Sequence, residues 1–133
     1  FNYTGVGQEP RYLIPKIVNH FQERAQHIEL GNIHVARDFS DVRDIARAYR
    51  LLAEAQPHGE TFNLCSEEST ALETFIGMAS EITGHNIEVR VNPDFVRPNE
   101  VKTLRGCSKK LDSFTGRARR YAMRDTLEWM LQC

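Results

Sequence analysis

The sequence is short of most features that would announce a function at once. Its cysteines, Cys65, Cys107 and Cys133, are odd in number and widely spaced. No disulfide framework is therefore expected, and a reducing cytoplasm fits. The 5 histidines are dispersed, with neither CxxC nor paired helical spacing anywhere in the chain, so no metal site is predicted. No apolar run is long enough to span a bilayer and no signal peptide precedes the chain, so no membrane partner is expected. Basic and acidic residues nearly balance, 17 against 18, and the basic ones are scattered, which argues against a nucleic-acid surface. The one basic run, Arg117 to Arg120, is short and lacks interleaved stacking aromatics. G-x-S-x-G, P-loop and dinucleotide-binding glycine patterns are absent, so no complete catalytic constellation is predicted. An initiating Met is also lacking: the chain opens on Phe1 and goes straight into a strand end, as a piece of something longer would.

What is present reads as an α/β chain with the length of one domain. Residues 1–3 look too short to be a strand with partners of its own, and a turn follows at Thr4-Gly5-Val6-Gly7. Leu13, Ile14, Ile17, Val18, Phe21 and Ala25 predict a helix over about 12–26, with Pro15 tolerable in its first turn. Residues 28–30 and 33–39 read as two strands joined by Gly31-Asn32 as a hairpin turn. Val42, Ile45, Ala46, Tyr49, Leu52 and Ala53 predict the inner stripe of a second helix, stopped by Pro57 and Gly59. Residues 61–65 read as a short strand. Thr70-Ala71-Leu72-Glu73 has the form of a capping box opening a helix that Gly84 ends. A strand over 87–91, an irregular stretch with Pro93 and Pro98, a helical turn over 109–114 and a last helix bearing Met123, Leu127, Met130 and Leu131 complete the reading. Residues 1–2 and 61–64 make sense as edge members of a larger parallel sheet.

Charge is densest at Arg37-Asp38-Phe39-Ser40-Asp41-Val42-Arg43-Asp44, where a strand end meets a helix start. Such a junction suits an anion, since free amides and the helix dipole point toward it and an arginine adds a planar fork. The simpler local reading is a helix capped by Asp41 with its other charges in water. Two further clusters carry the same ambiguity. Arg97-Pro98-Asn99-Glu100 places an arginine and a carboxylate on a stiffened loop, where they would either meet a ligand or pair with each other. Asn2 with Lys16 sets an amide at a strand end beside a cation in a helix's first turn, where a turn residue and a solvated lysine are the plain alternatives.

In order and spacing, however, these clusters resemble a known family. Phe1-Asn2-Tyr3-Thr4-Gly5-Val6-Gly7-Gln8, Ile14-Pro15-Lys16-Ile17-Val18, Leu30-Gly31-Asn32, the Arg37 to Asp44 junction, Asn63-Leu64-Cys65-Ser66 and Val96-Arg97-Pro98-Asn99-Glu100-Val101 are similar to the C-terminal part of extended short-chain dehydrogenases/reductases. The similarity is to the epimerase/dehydratase branch acting on GDP-linked deoxyhexoses. It implies the substrate-binding lobe of that fold with residual strands of the Rossmann sheet, the N-terminal Rossmann core being absent. Residues 1–10 and about 41–66 would belong to the edge of that missing domain, within one portion spanning 1–133.

The wording Tyr3-Thr4-Gly5-Val6-Gly7-Gln8 and Asn63-Leu64-Cys65-Ser66 looks more like the GDP-4-keto-6-deoxymannose reductases, which make GDP-D-rhamnose, than like the GDP-mannose 4,6-dehydratases. The resemblance implies that Asn2, Arg37 and Arg97 hold a diphosphate and that Lys16 approaches guanine. Leu30 and Asn32 would line the base pocket, and Glu100 would accept from nucleotide hydroxyls or the base edge. It further implies an NAD or NADP cofactor and a homodimer for the full-length parent. The family's catalytic Tyr-x-x-x-Lys pair and cofactor loop would lie upstream of Phe1, so no catalytic residue is assigned here and this portion alone is expected to be inactive. The alternatives are a dehydratase portion, which would make the parent a lyase, and a non-catalytic nucleotide-binding or interaction module. Gly116-Arg117-Ala118-Arg119 departs from the Gly-Trp-x-Pro of many relatives, which leaves the packing of the last helix open.

Overall fold

The computed structural model describes residues 1–96, 98–116 and 119–133. In chain order the elements are β1 (Asn2–Thr4), α1 (Leu13–Gln22), β2 (His27–Leu30), β3 (Ala36–Asp41), α2 (Val42–Ala55), β4 (Ser69–Ala71), α3 (Leu72–Thr83), β5 (Glu88–Val91), a 3-10 turn (Pro93–Phe95), β6 (Thr103–Leu104), α4 (Lys109–Thr115) and α5 (Met123–Gln132). The α/β class is as the alternating periods of the sequence imply.

Helical spacing explains the main core. α1 turns Ile14, Ile17, Val18 and Phe21 inward, and α3 brings Phe75, Ile76 and Ala79 against them. α5 adds Leu127 and Met130, while Ile28, Leu30 and Ile87 close the cluster from the β2–β5 side. Each such side chain taken fully out of water contributes about 1.5–3 kcal/mol, so this cluster dominates the fold. A much smaller cluster sits apart, where Ala48 of α2 and Leu111 of α4 are buried among Leu51, Leu52, Phe62 and Leu64.

The strands form two sheets, and their pairing corrects the sequence reading in two places. β3 runs parallel to β1 through Asn2↔Phe39 and Thr4↔Asp41, so residues 2–4 do find a partner. The first half of β3 is paired twice, antiparallel to β4 and parallel to β6. That leaves no edge for β2, which instead pairs in parallel with β5. Gly31-Asn32 is therefore not a hairpin turn. Glycine is needed at 31 for a different reason: a Cβ there would lie 2.3 Å from the Phe95 carbonyl oxygen.

Other differences have equally local causes. Thr70 is in β4, paired with Arg37, so it cannot cap α3; Ala71 is the N-cap and no side chain caps the helix. Gly84 does end that helix, in the left-handed conformation (φ 63°). On α2 the inward residues are Asp44, Ile45 and Ala48, whereas Tyr49 is 64% exposed. The stripe is rotated because Asp44 and Asp41 have buried hydrogen-bond partners that a purely apolar count ignores. Residues 61–65 are in no ladder, and Phe62 and Leu64 pack on α2 and α4 instead. Among the described residues, no helix is long and apolar enough to cross a membrane and no group of His, Cys, Asp and Glu is arranged to hold a metal ion.

Candidate functional site

The site is built around β3, whose side chains alternate between two faces. Asp38 points to the buried face and is fully enclosed. Its Oδ1 accepts from the Ser66 amide and hydroxyl, both at 2.7 Å, and its Oδ2 accepts from the amides of Glu67 (3.1 Å) and Gly106 (3.0 Å). Glu67 adopts a left-handed backbone (φ 63°), which turns consecutive amides toward the same carboxylate. No cation is needed to satisfy this charge, because four donors converge on it. The result is a knot that ties β3 to the 65–68 loop and to the segment entering α4. Cys65 beside it is no nucleophile: burial, helped by the Asp38 charge, pushes its thiol up to about 11.

Arg37, the next residue, points the other way into a cleft of about 1090 Å³. Asn2, Lys16, Leu30, Asn32, Arg37 and Glu100 all line it. Residues from four separated segments of chain thus meet in one concavity. Arg97 lies outside the described residues. The bracing inside the cleft was not foreseen from the sequence. Arg37 Nη2 donates to Glu100 Oε1 at 2.9 Å, its Nη1 donates to the Ala36 carbonyl at 3.0 Å, and Asn32 Nδ2 donates to Glu100 Oε2 at 2.7 Å. With side chains only 16% and 21% exposed, the Arg37–Glu100 pair is partly withdrawn from water, where such contacts are stronger than at a surface. Asn2 Nδ2 donates to the Asp38 carbonyl at 3.4 Å, which ties β1 to β3 at the cleft floor.

At the other end, Lys16 Nζ donates to the Glu29 carbonyl at 2.7 Å and stands 5.0 Å from the Phe95 ring centroid. Tyr12 and Lys16 happen to have Tyr-x-x-x-Lys spacing, yet they do not form an acid/base pair. Lys16 is committed to Glu29 and Phe95, while the Tyr12 hydroxyl accepts from Arg11 Nη2 at 3.3 Å. Phe95 and Asp94 of the 3-10 turn also line the cleft and were missed from sequence. The sequence signal for them is Asn92-Pro93-Asp94, an Asx-capped turn; Asn92 Oδ1 accepts from the Asp94 amide at 2.9 Å.

A second cavity, of about 370 Å³, is lined by Ser40, Asp41, Asp44, Cys65, Ser66, Arg119 and Tyr121 among others. Among the described residues, none of the predicted site residues borders it. Asp41 caps α2 through the Arg43 amide (2.7 Å), as expected, and also accepts from the Arg43 guanidinium and the Thr126 hydroxyl. Burial pushes its carboxyl up, but those hydrogen bonds and the Arg43 charge outweigh it, and the group titrates below the usual carboxylate range. Asp44 accepts from the amides of Arg120 and Tyr121, and the Arg43 guanidinium lies 3.7 Å and 4.0 Å from the Tyr121 and Trp129 ring centroids. These contacts fix α5 where the family's Gly-Trp-x-Pro wording is missing.

Comparison with known proteins gives this geometry a context. The family model described as GDP-mannose 4,6 dehydratase matches residues 1–130. The chain is 33% identical to a GDP-6-deoxy-D-talose 4-dehydrogenase of Aggregatibacter actinomycetemcomitans, over 98% of the chain and 45% of that protein. It is 29% identical to a GDP-6-deoxy-D-mannose reductase of Pseudomonas aeruginosa, over 87% of the chain and 40% of that protein. The chain thus spans less than half the length of these curated relatives. Among solved structures, a candidate epimerase from Burkholderia cenocepacia J2315 superposes with a TM-score of 0.97 at 50% identity, over 99% of this chain and 44% of that one. The protein RMD from Pseudomonas aeruginosa, complexed with NADPH, superposes with a TM-score of 0.92 at 26% identity, over 99% and 45%.

Proposed function

The chain belongs to the GDP-mannose 4,6-dehydratase family, and from that premise we propose that it is the nucleotide-sugar-binding portion of an NAD(P)-dependent reductase of GDP-4-keto-6-deoxymannose. The observation that carries this reading is the meeting of Asn2, Lys16, Asn32, Arg37 and Glu100 in one cleft large enough for a nucleotide-sugar. A reductase is preferred to a dehydratase because relatives at 33% and 29% identity are a dehydrogenase and a reductase of GDP-6-deoxyhexoses.

In this reading Arg37 presents its remaining guanidinium N–H groups to the diphosphate, with Asn2 beside it and Arg97 joining from the loop. Glu100, held by Arg37 and Asn32, keeps a defined orientation and accepts from a vicinal diol. Lys16 meets the base, and Leu30 and Asn32 flank it. Gripping the nucleotide at these points fixes the keto sugar relative to its reductant, so remote binding energy orients the reacting carbon. When bound, the nicotinamide supplies the hydride. The residues of this chain do not fit a dinucleotide: Gly5 and Gly7 are followed by Pro10 where a phosphate-binding loop would need a third glycine. Cofactor and acid/base pair therefore belong to another portion of the parent, and residues 1–10 and about 41–66 would abut it.

The test is turnover by the complete protein. NAD(P)H oxidation dependent on GDP-4-keto-6-deoxymannose is expected. Formation of that compound from GDP-mannose, without added reductant, would replace the reductase reading with the dehydratase one.

A further inference from the structure

We propose that Asp94 and Phe95 are the base-specificity determinants of the cleft, Asp94 selecting guanine and Phe95 providing its stacking face; this deepens the GDP-sugar reading above and rests on it. The 3-10 turn that carries them is held on three sides. Asn92 caps it through the Asp94 amide, the Asn92 amide donates to the Leu30 carbonyl at 2.8 Å, and Asn92 Nδ2 donates to Glu29 Oε2 at 2.9 Å. Gly31 lets the Phe95 carbonyl close directly onto the Leu30-Gly31-Asn32 segment. A turn so anchored presents its side chains at a fixed place on the cleft wall.

Neither side chain is buried. Phe95 is 50% exposed although it lines a concavity, and among the described residues the Asp94 carboxylate has no partner. A half-exposed aromatic facing a cleft offers a stacking surface, and every nucleobase has a π-face that fits one. Lys16 completes the arrangement: its ammonium lies 5.0 Å from the same ring, with only one of its three protons given to Glu29.

The wall therefore brings a cation, a carboxylate and an aromatic ring to one cleft. Guanine matches both charges. Its O6 and N7 accept from an ammonium, while its N1–H and N2–H₂ are adjacent parallel donors that a carboxylate takes together. Uracil has one such donor between two acceptors, and adenine sets an acceptor where guanine has N1–H. Hypoxanthine keeps O6 and N1–H but lacks the amino group, so it isolates the second hydrogen bond.

The test is calorimetric binding of GDP, IDP and UDP to the complete protein and to three variants. Wild type should bind GDP about tenfold or more tighter than IDP, as loss of a charge-assisted hydrogen bond requires. Asp94→Ala should weaken GDP and bring it level with IDP. Phe95→Ala should weaken all three by about tenfold, stacking being tolerant of base identity. Arg37→Ala should weaken all three without altering their ratios. An unchanged GDP/IDP ratio in Asp94→Ala, with Arg37→Ala still impaired, overturns this proposal and leaves the cleft reading standing. No nucleotide binding in the wild type, or full binding in Arg37→Ala, overturns both. Asp94 and Phe95 are exposed, so their variants should keep the wild-type far-ultraviolet spectrum and melting temperature.

Discussion

Neighbouring residues on β3 divide the work of the site. Arg37 faces the cleft and Asp38 faces the interior, as the alternation of a strand demands. Replacing Arg37 with Ala removes the guanidinium proposed to meet phosphate and leaves Glu100, among the described residues, half-buried beside only Asn32. GDP binding should fall by about 1.5–3 kcal/mol in titration calorimetry, with a smaller drop in melting temperature. Asp38→Ala should do the reverse. Four donors lose their acceptor in a largely buried site, so stability to urea should drop by about 3 kcal/mol before any direct effect on ligand is seen. Equal stability of the two variants would contradict this division. Asp41 gives a pH-dependent prediction. Its folded-state pKa is lowered below the ordinary 3.8, so the stability it contributes is present above that pH and is lost as pH falls through the folded value. Asp41→Asn should therefore be less stable near neutrality, and its stability should change less than that of the wild type as pH drops below about 4.

Elements matter here for where they end. The Leu30-Gly31-Asn32 segment and the 3-10 turn touch through backbone, so the end of the cleft proposed to take the base is shaped by main-chain packing and not by long side chains. Gly31→Ala would drive a methyl into the Phe95 carbonyl and force the turn away. Nucleotide affinity should fall by about tenfold or more while helix content stays constant; unaltered affinity would show that the turn does not form the pocket wall. α2 was legible as a helix from its apolar spacing, yet its orientation was not. Asp44 is inward because the amides of Arg120 and Tyr121, distant in sequence, require an acceptor there. No local pattern can reveal a partner 76 residues away.

Across the whole molecule, the hydrophobic clusters differ greatly in size. The main one joins α1, α3, α5 and the β2–β5 sheet, whereas α2 and α4 share only a small one around Ala48 and Leu111. Hydrogen exchange should report this directly, with amides of α1 and α3 protected through global unfolding and those of α2 and α4 exchanging through local opening. Uniform protection would mean that the Asp38 and Asp41 hydrogen-bond knots, not apolar area, set the cooperativity. In the complete protein the α2–α4 side should become better protected, if residues 1–10 and about 41–66 abut the cofactor domain.

By itself the sequence determined the α/β class and the apolar faces of the main core, and it singled out Asn2, Lys16, Leu30, Asn32, Arg37 and Glu100, which line one cleft. Apolar periods of 3.6 and 2 mark what is buried. Only the tertiary structure decided how the strands pair, which face of α2 is inward and what Arg37 holds. Strand pairing depends on which edges are already occupied, and β3 is filled on both sides by β4 and β6 before β2 can reach it. Buried carboxylates choose donors by distance in space, which is how Glu100 comes to bridge Arg37 and Asn32 across the cleft. Asp94 and Phe95 were silent in the sequence for the same reason: the turn that carries them reaches the cleft wall only because a glycine elsewhere lets it close.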